Sequence, residues 1–498
     1  MRRKIGRLFG LVFLIFVLGG ASGALYTQYI YQEAFYTSWI RLLKPEIDWQ
    51  KGKYPSLKPA FDVADSLLSK PDPRNEFGQI RGGKTASLPS GWTPFTIGAQ
   101  DGTNADRTVT EPREIVVSSA GAVVRAIRAA SPGDVITISP GTYTFSRNSI
   151  PVTANGTATE PIKVRARTFG TVTLRLNTLE GFHVQGAYWI FENLVINGVC
   201  REDTNCEHAF HVVGNARMTV IRNNWISNFN ASLKVNGARG NYPDGGRVTN
   251  NAFVNDRPRQ TTRPVTLLDV VGASNWVAEG NLIADFAKAQ DDRISYGAFF
   301  KGGGADNIFE RNLVRCEWRQ HGGTRIGFSF GGGGTSRGAC RDGKCPQEHI
   351  RGIVRNNIVM NCPNDVGIYL NKSADTLIHN NLLIDTRGID VRYPETTAEI
   401  LNNIIDGRVL ARSGGRFTER GNIMSVLKAA LNSDVPSGIF ANPRTGDLTV
   451  TDKKALTASG TRISDPARDF CNREYATGHT QVGPFLVSDK SPCILRVP

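Results

Sequence analysis

The run RNNIVMNC at residues 355–362 decides how the chain reads. It joins an asparagine corner, Asn357, to a short apolar segment, and the same unit returns as NNLLIDT (380–386), NNIIDG (402–407) and GNIMS (421–425). Earlier copies are ENLVING (192–198), NNWISNF (223–229), NNAFVN (250–255), GNLIADF (280–286) and RNLVRC (311–316). The repeating position is Asn193, Asn224, Asn251, Asn281, Asn312, Asn357, Asn381, Asn403 and Asn422, at intervals of 19 to 45 residues. No run between these units is long and periodic enough for a helix. Units this short cannot bury a hydrophobic face alone, but a stack of them builds a continuous core. Asparagine suits each corner because it tolerates the left-handed backbone region and its amide can bond a neighbouring unit. The asparagines are therefore scaffold. The spacing predicts an all-β fold: a single-stranded right-handed parallel β-helix of about 9–11 coils, from roughly 131 to 426.

Composition agrees. The chain has 498 residues, 40% of them hydrophobic, with 52 glycines. That is enough apolar matter for a large core and enough glycine for frequent turns. Ahead of the repeats, SAGAVVRAIRAA (119–130) sets Ala120, Val123, Val124, Ile127 and Ala130 on one helical face. A helix here is expected to cap the open end of the sheets.

The N-terminus reads as an export signal. Arg2, Arg3, Lys4 and Arg7 precede an uncharged stretch from Leu8 to Gln32 that is long enough to span a bilayer. Residues 1–32 are read as a signal anchor, or as a signal peptide cut within ASGA (21–24). Residues 33–90 are a proline-broken stalk, 91–426 the β-helix and 427–498 its C-terminal cap. The protein is expected outside the cytoplasm, facing the periplasm or cell exterior, anchored by this segment or secreted if it is cleaved. Eight cysteines suit that compartment. Cys200/Cys206 and Cys340/Cys345 are close enough to staple loops, and Cys316 and Cys362, each a few residues past a repeat asparagine, are expected to pair across coils. The net charge of +14 points to an acidic partner. For an exported chain that is an acidic polysaccharide, with no nucleic acid. The glycine run GGGGTS (331–336) lacks the Lys-Ser/Thr ending of a phosphate loop.

AASPGDVITISPGTYTF (129–145) resembles the opening of secreted right-handed β-helix proteins, and the tail from Asp447 to Phe485 is similar to their closing strands, with Cys471 where an acidic residue is usual. With the asparagine ladder, the resemblance is nearest to the chondroitinase-B/alginate lyase group of polysaccharide lyases. It implies β-elimination on a uronate-containing glycan, with a lysine base in the pattern Lys-Ser/Gly-x-x-Asn and an arginine from the next coil. Lys301 matches the lysine, and Arg325 lies near the arginine, whose aligned position is Phe330. Calcium is the cofactor the resemblance offers. The group's acidic ligand positions are here Ile294 and Tyr296, with Asp291 and Asp292 nearby, so no residue is assigned to a metal.

The strands themselves align as GAFFK (297–301), GFSFG (327–331), GIYLN (367–371) and GIDVR (388–392). HAFHVV (208–213), SLKVNG (232–237) and LLDVVG (267–272) extend the set. Same-position residues stack about 4.8 Å apart. His211, Lys234, Asp269, Lys301, Tyr369 and Arg392 are thus expected to form one basic stripe. Lys301, Arg325, Tyr369 and His211 are the catalytic candidates, and Lys234, Asp269, Arg392 and Asn371 the substrate-binding ones. The glycines after Lys301 are expected to let a sugar approach the backbone. The same residues admit a C5-epimerase or a non-catalytic glycan-binding surface protein. A glycoside hydrolase needs paired carboxylates, for which Asp269, Asp292 and Asp390 are the candidates.

Overall fold

The structure, a computed structural model, describes residues 97–98, 113–146, 149–332, 335–424, 438–443, 446–457, 460–463, 465, 468–476 and 478–487. The expected membrane segment (1–32) and stalk (33–90) lie outside these residues. Among the described residues no helix is long and apolar enough to cross a membrane.

Each coil contributes one short strand to each of three parallel sheets, of twelve, eleven and ten strands, so that ten coils are complete. Residues 91–426 and 434–498 form one compact unit around this parallel β-helix. The sequence alternation sets one apolar side chain per strand inward, and strand pairing stacks them in files. One file runs Val164, Phe191, Ile221, Val248, Ala278, Phe309, Val354 and Ile378, all essentially inaccessible. Beneath the strands Ile294–Lys301 and Thr324–Phe330 the core is aromatic: Phe309 lies 4.3 Å from Phe300 and 4.5 Å from Phe328 between ring centroids. The helix Ala120–Ala129 starts at Ser119, whose Oγ accepts from Ala122 N (3.2 Å), and buries Val123 and Ile127 in the same core.

The asparagine ladder divides its work between two adjacent residues. Asn224 has its Oδ1 accepting from Leu194 N (3.0 Å), while its Nδ2 donates to Phe191 O (3.0 Å) and Arg222 O (2.9 Å). Its own N–H donates to Asn251 Oδ1 (2.9 Å), and the chain of amides continues through Asn281, Asn312, Asn357, Asn381 and Asn403 to Asn422. The left-handed conformation belongs to the residue before each: Asn223, Asn250, Gly280, Arg311, Asn356, Asn380, Asn402 and Gly421 all have positive φ. Asn193 is corrected accordingly. It has φ 64° and occupies the left-handed position, with Leu194 where the ladder asparagine would stand.

Cys200–Cys206, Cys316–Cys362 and Cys340–Cys345 are disulfides, as the spacing predicts. The second joins successive coils at a Cα separation of 5.0 Å. Asn312→Ala removes donors to Ala278 O and Asn357 Oδ1 and strands the N–H of Asn281. It is expected to lower the unfolding free energy by about 2–4 kcal/mol, read by chemical denaturation. An unchanged midpoint would show that the ladder carries little stability.

Candidate functional site

The outer face of the ten-stranded sheet holds the candidate residues, in two rows. The first runs His183, His211, Lys234, Asp269, Phe299, Ser329, Tyr369 and Asp390. The second lies two residues further along each strand and runs Asn236, Val271, Lys301, then Asn371, Arg392 and Arg412. Gly331, whose N–H bonds Phe300 O, stands between Lys301 and Asn371. The single stripe expected from the sequence is thus corrected to two adjoining rows. Lys301 and Arg392 are neighbours of the His211 row, not members of it.

Lys301 is half-buried. Its Nζ lies 4.3 Å from the centroid of the Phe299 ring and has no hydrogen-bond or ion-pair partner among the described residues. Burial lowers its pKa, and Lys234 adds to the effect, while Asp269 and Glu348 oppose it. Lys234 and Asp269 pair with each other, Nζ to Oδ2 at 2.7 Å, and Asp269 Oδ1 is buried without a partner.

Two strands on, Tyr369 Oη accepts from Asn371 Nδ2 (2.9 Å) and Arg392 Nη1 (3.2 Å). Burial outweighs these contacts and raises the phenol pKa, so the oxygen keeps its proton. Arg392 lies over the Tyr393 ring at 4.7 Å, and its Nε is buried with no partner among the described residues. Asp390 is bound by Arg412 at 2.6 Å.

Other sequence-derived candidates fall elsewhere. Arg325 is 1% exposed, and its guanidinium donates to the carbonyls of Gly322, Gln320 and Cys316. It organises the loop that wraps it and is removed from the catalytic set. His211 lies three strands from Lys301, about 14 Å by strand spacing. It bonds Glu180 and Asn236, so it does not share a site with the lysine. The glycines after Lys301 serve the chain itself. Gly302 and Gly303 have φ 75° and 79°. Their N–H groups donate to Glu348 Oε2 (3.1 Å) and Glu348 O (2.8 Å), and Arg341 N donates to Gly302 O (2.8 Å). The loop bearing Cys340–Cys345 therefore covers them, and no sugar reaches this backbone.

Calcium does not fit. It takes six to eight oxygen ligands. At the start of the strand that ends in Lys301, Asp292 Oδ1 accepts from Lys288 Nζ (2.8 Å) and Ile294 N (3.0 Å), and beside Lys301 Glu348 Oε2 is taken by Gly302 N and Thr335 Oγ1. Asp269 is engaged by Lys234.

Several residues in or beside this face were missed in the sequence. Tyr296 packs edge-on to Phe299 (5.4 Å) and close to Tyr369. Asp365 has a carboxyl pushed up to about 6 by burial. Glu180 and His183 sit beside His208 and His211. A repeated signal existed for these last four: Glu-x-x-His in EGFHV and His-x-x-His in HAFHV.

No protein-family model and no curated protein sequence matches the chain. Solved structures do. They include an alginate lyase from Paenibacillus (16% identity, 63% of this chain and 95% of that one, TM-score 0.31). A rhamnogalacturonan lyase shares 12% identity over 72% of this chain and 91% of its own, with TM-score 0.42. For a pectate lyase the values are 16%, 77%, 91% and 0.38. The likeness is to polysaccharide lyases. At these scores the fold rests on the sheets described above, and the site on this chain's own residues.

Lys234→Ala removes a cation near Lys301 and frees Asp269 to act on it. Both changes are expected to raise the Lys301 pKa, measured by NMR titration of 13C-methylated lysines. A fall on that substitution would contradict the assignment of charges here.

Proposed function

We propose that this chain is an exported, membrane-anchored lyase that cleaves a uronate-containing polysaccharide by β-elimination. The observation that carries the reading is Lys301, a partly desolvated amine on the outer face with no partner among the described residues. It faces Tyr369 and Arg392 across the small residues Ser329 and Gly331. Tyr369 lies two strand spacings from Lys301, about 10 Å, and Arg392 three, about 14 Å, with Arg392 reaching back to the Tyr369 oxygen. The basic N-terminus and uncharged run to Gln32 support the anchor, and the net charge of +14 suits an acidic polymer.

In this reading the part-exposed guanidinium of Arg392 binds the uronate carboxylate and makes the C5 proton more acidic. Neutral Lys301 takes that proton. The C4–C5 double bond forms as the C4–O4 bond breaks, and O4 receives the phenolic proton of Tyr369. Arg392 and Asn371 hold the phenolate that results. Burial favours the reactive form of both groups, the neutral amine and the protonated phenol.

The test is ultraviolet absorbance of unsaturated uronate ends on alginate, chondroitin, hyaluronan and pectate. Lys301→Ala is expected to abolish the signal, and Tyr369→Phe to lower kcat by about 10²–10⁴-fold. Activity should rise with pH as the Lys301 ammonium loses its proton, at a pH below the usual lysine range. Exchange at C5 without cleavage would make the protein an epimerase built on the same base. Neither cleavage nor exchange on any uronate polymer would overturn the reading.

A further inference from the structure

Three histidines and a glutamate gather on the same outer face but away from Lys301. The strands Glu180–Val184 and His208–Val213 pair in parallel, setting Glu180 beside His208 and His183 beside His211. Ligand atoms of Glu180, His208 and His211 all lie within 4.8 Å of one another. The His183 ring stacks on His211 at 5.2 Å, and its Nδ1 is 3.5 Å from Glu180 Oε2.

Two independent features point to a missing cation. His208 is only 9% exposed, and its Nδ1 is buried with no hydrogen-bond partner. His211 has oxygen acceptors at both nitrogens: Glu180 Oε1 2.8 Å from Nδ1 and Asn236 Oδ1 2.8 Å from Nε2. The Asn236 amide is fixed in that orientation because its Nδ2 donates to Gly237 O (3.0 Å). A neutral imidazole has one N–H. A second proton or a metal ion must therefore stand at one of these contacts.

We infer that Glu180, His208 and His211 form a binding site for a zinc-class divalent ion. Two imidazole nitrogens and a carboxylate select zinc and its first-row neighbours over calcium or magnesium, which take oxygen. Three protein ligands leave a fourth position open, as in catalytic rather than structural zinc sites. Asn236 holds the far nitrogen of His211 and orients the ring, as outer partners of metal-bound histidines do. On binding, His211 Nδ1 releases its proton to solvent and gives its lone pair to the ion, while Nε2 keeps its N–H on Asn236. Nothing is oxidised or reduced. The nearest cation, Lys234, is already paired with Asp269 at 2.7 Å. This inference is independent of the lyase reading.

The experiment uses full-length protein stripped with a chelator. It is titrated with Zn2+ against a chromophoric competitor, and with Co2+ while visible absorption is followed. One equivalent of each ion is expected, with the intense cobalt bands of a four-coordinate site. Glu180→Gln, which keeps the side-chain shape at a partly exposed position, and His208→Gln should each weaken binding by at least about tenfold. If His208→Gln unfolds, Glu180→Gln decides alone. The proposal is overturned if folded wild-type protein takes up no stoichiometric metal, which would assign the His211–Glu180 contact to a second proton. It is equally overturned if the folded variants bind as tightly as wild type.

Discussion

A buried amide must find partners inside the protein, and in this molecule that requirement sets the coil. Each ladder asparagine carries two donors and an acceptor into a space closed to water, where an unmatched group is costly. The matching group is another asparagine one coil away, so each corner is complete only when its neighbour is in place. Between Asn312 and Asn357 the chain inserts a long disulfide-tied loop, yet the amide contact across that coil is 2.9 Å, the same as between Asn281 and Asn251 two coils earlier. The corner is fixed, and whatever lies between corners is free to vary. Chemistry can therefore be mounted on the loops and outer faces without disturbing the stack.

The outer face of the ten-stranded sheet uses that freedom. Regular pairing carries side chains from different coils to one surface at a constant pitch, and their environments then separate them. At one end Glu180 and the histidines gather. In the middle the Lys234–Asp269 pair leaves Lys301 without a counter-ion among the described residues. Further on, Arg392 and Asn371 are drawn to Tyr369. Charge is thus sorted along the axis, with an amine and a phenol held on either side of a gap made by Ser329 and Gly331.

Much of this was legible in the sequence, because the repeat is local. The asparagine units revealed the coils, the closeness of Cys316 and Cys362 to two of them predicted that disulfide, and the GAFFK-type alignment agrees with the observed register. What failed depended on contacts between distant segments. Residues 299 and 301 both point outward, and only the pairing shows that they open separate rows. Arg325 looks like a cation next to the candidate lysine's strand until the carbonyls of the 316–322 loop close around it. The three glycines looked open until the loop carrying Glu348 was seen to bond them. Glu180 and His183 escaped notice because the strand alignment began one coil later, at HAFHVV (208–213).

That same loop alters how the stack can come apart. A solenoid whose coils touch only their neighbours opens from its ends, one unit at a time. Here Arg341 reaches back to Asp244 with two bonds (2.7 and 2.8 Å), lies over the Tyr242 ring at 4.7 Å and donates to Gly272 O, while Tyr242 Oη donates to Cys340 O. These contacts skip over intervening coils and clasp the segment from 242 to 348 as a single body. Fraying from either end must stop at its border. The candidate lysine, inside the clasp, thus sits in the segment where partial opening is most strongly opposed.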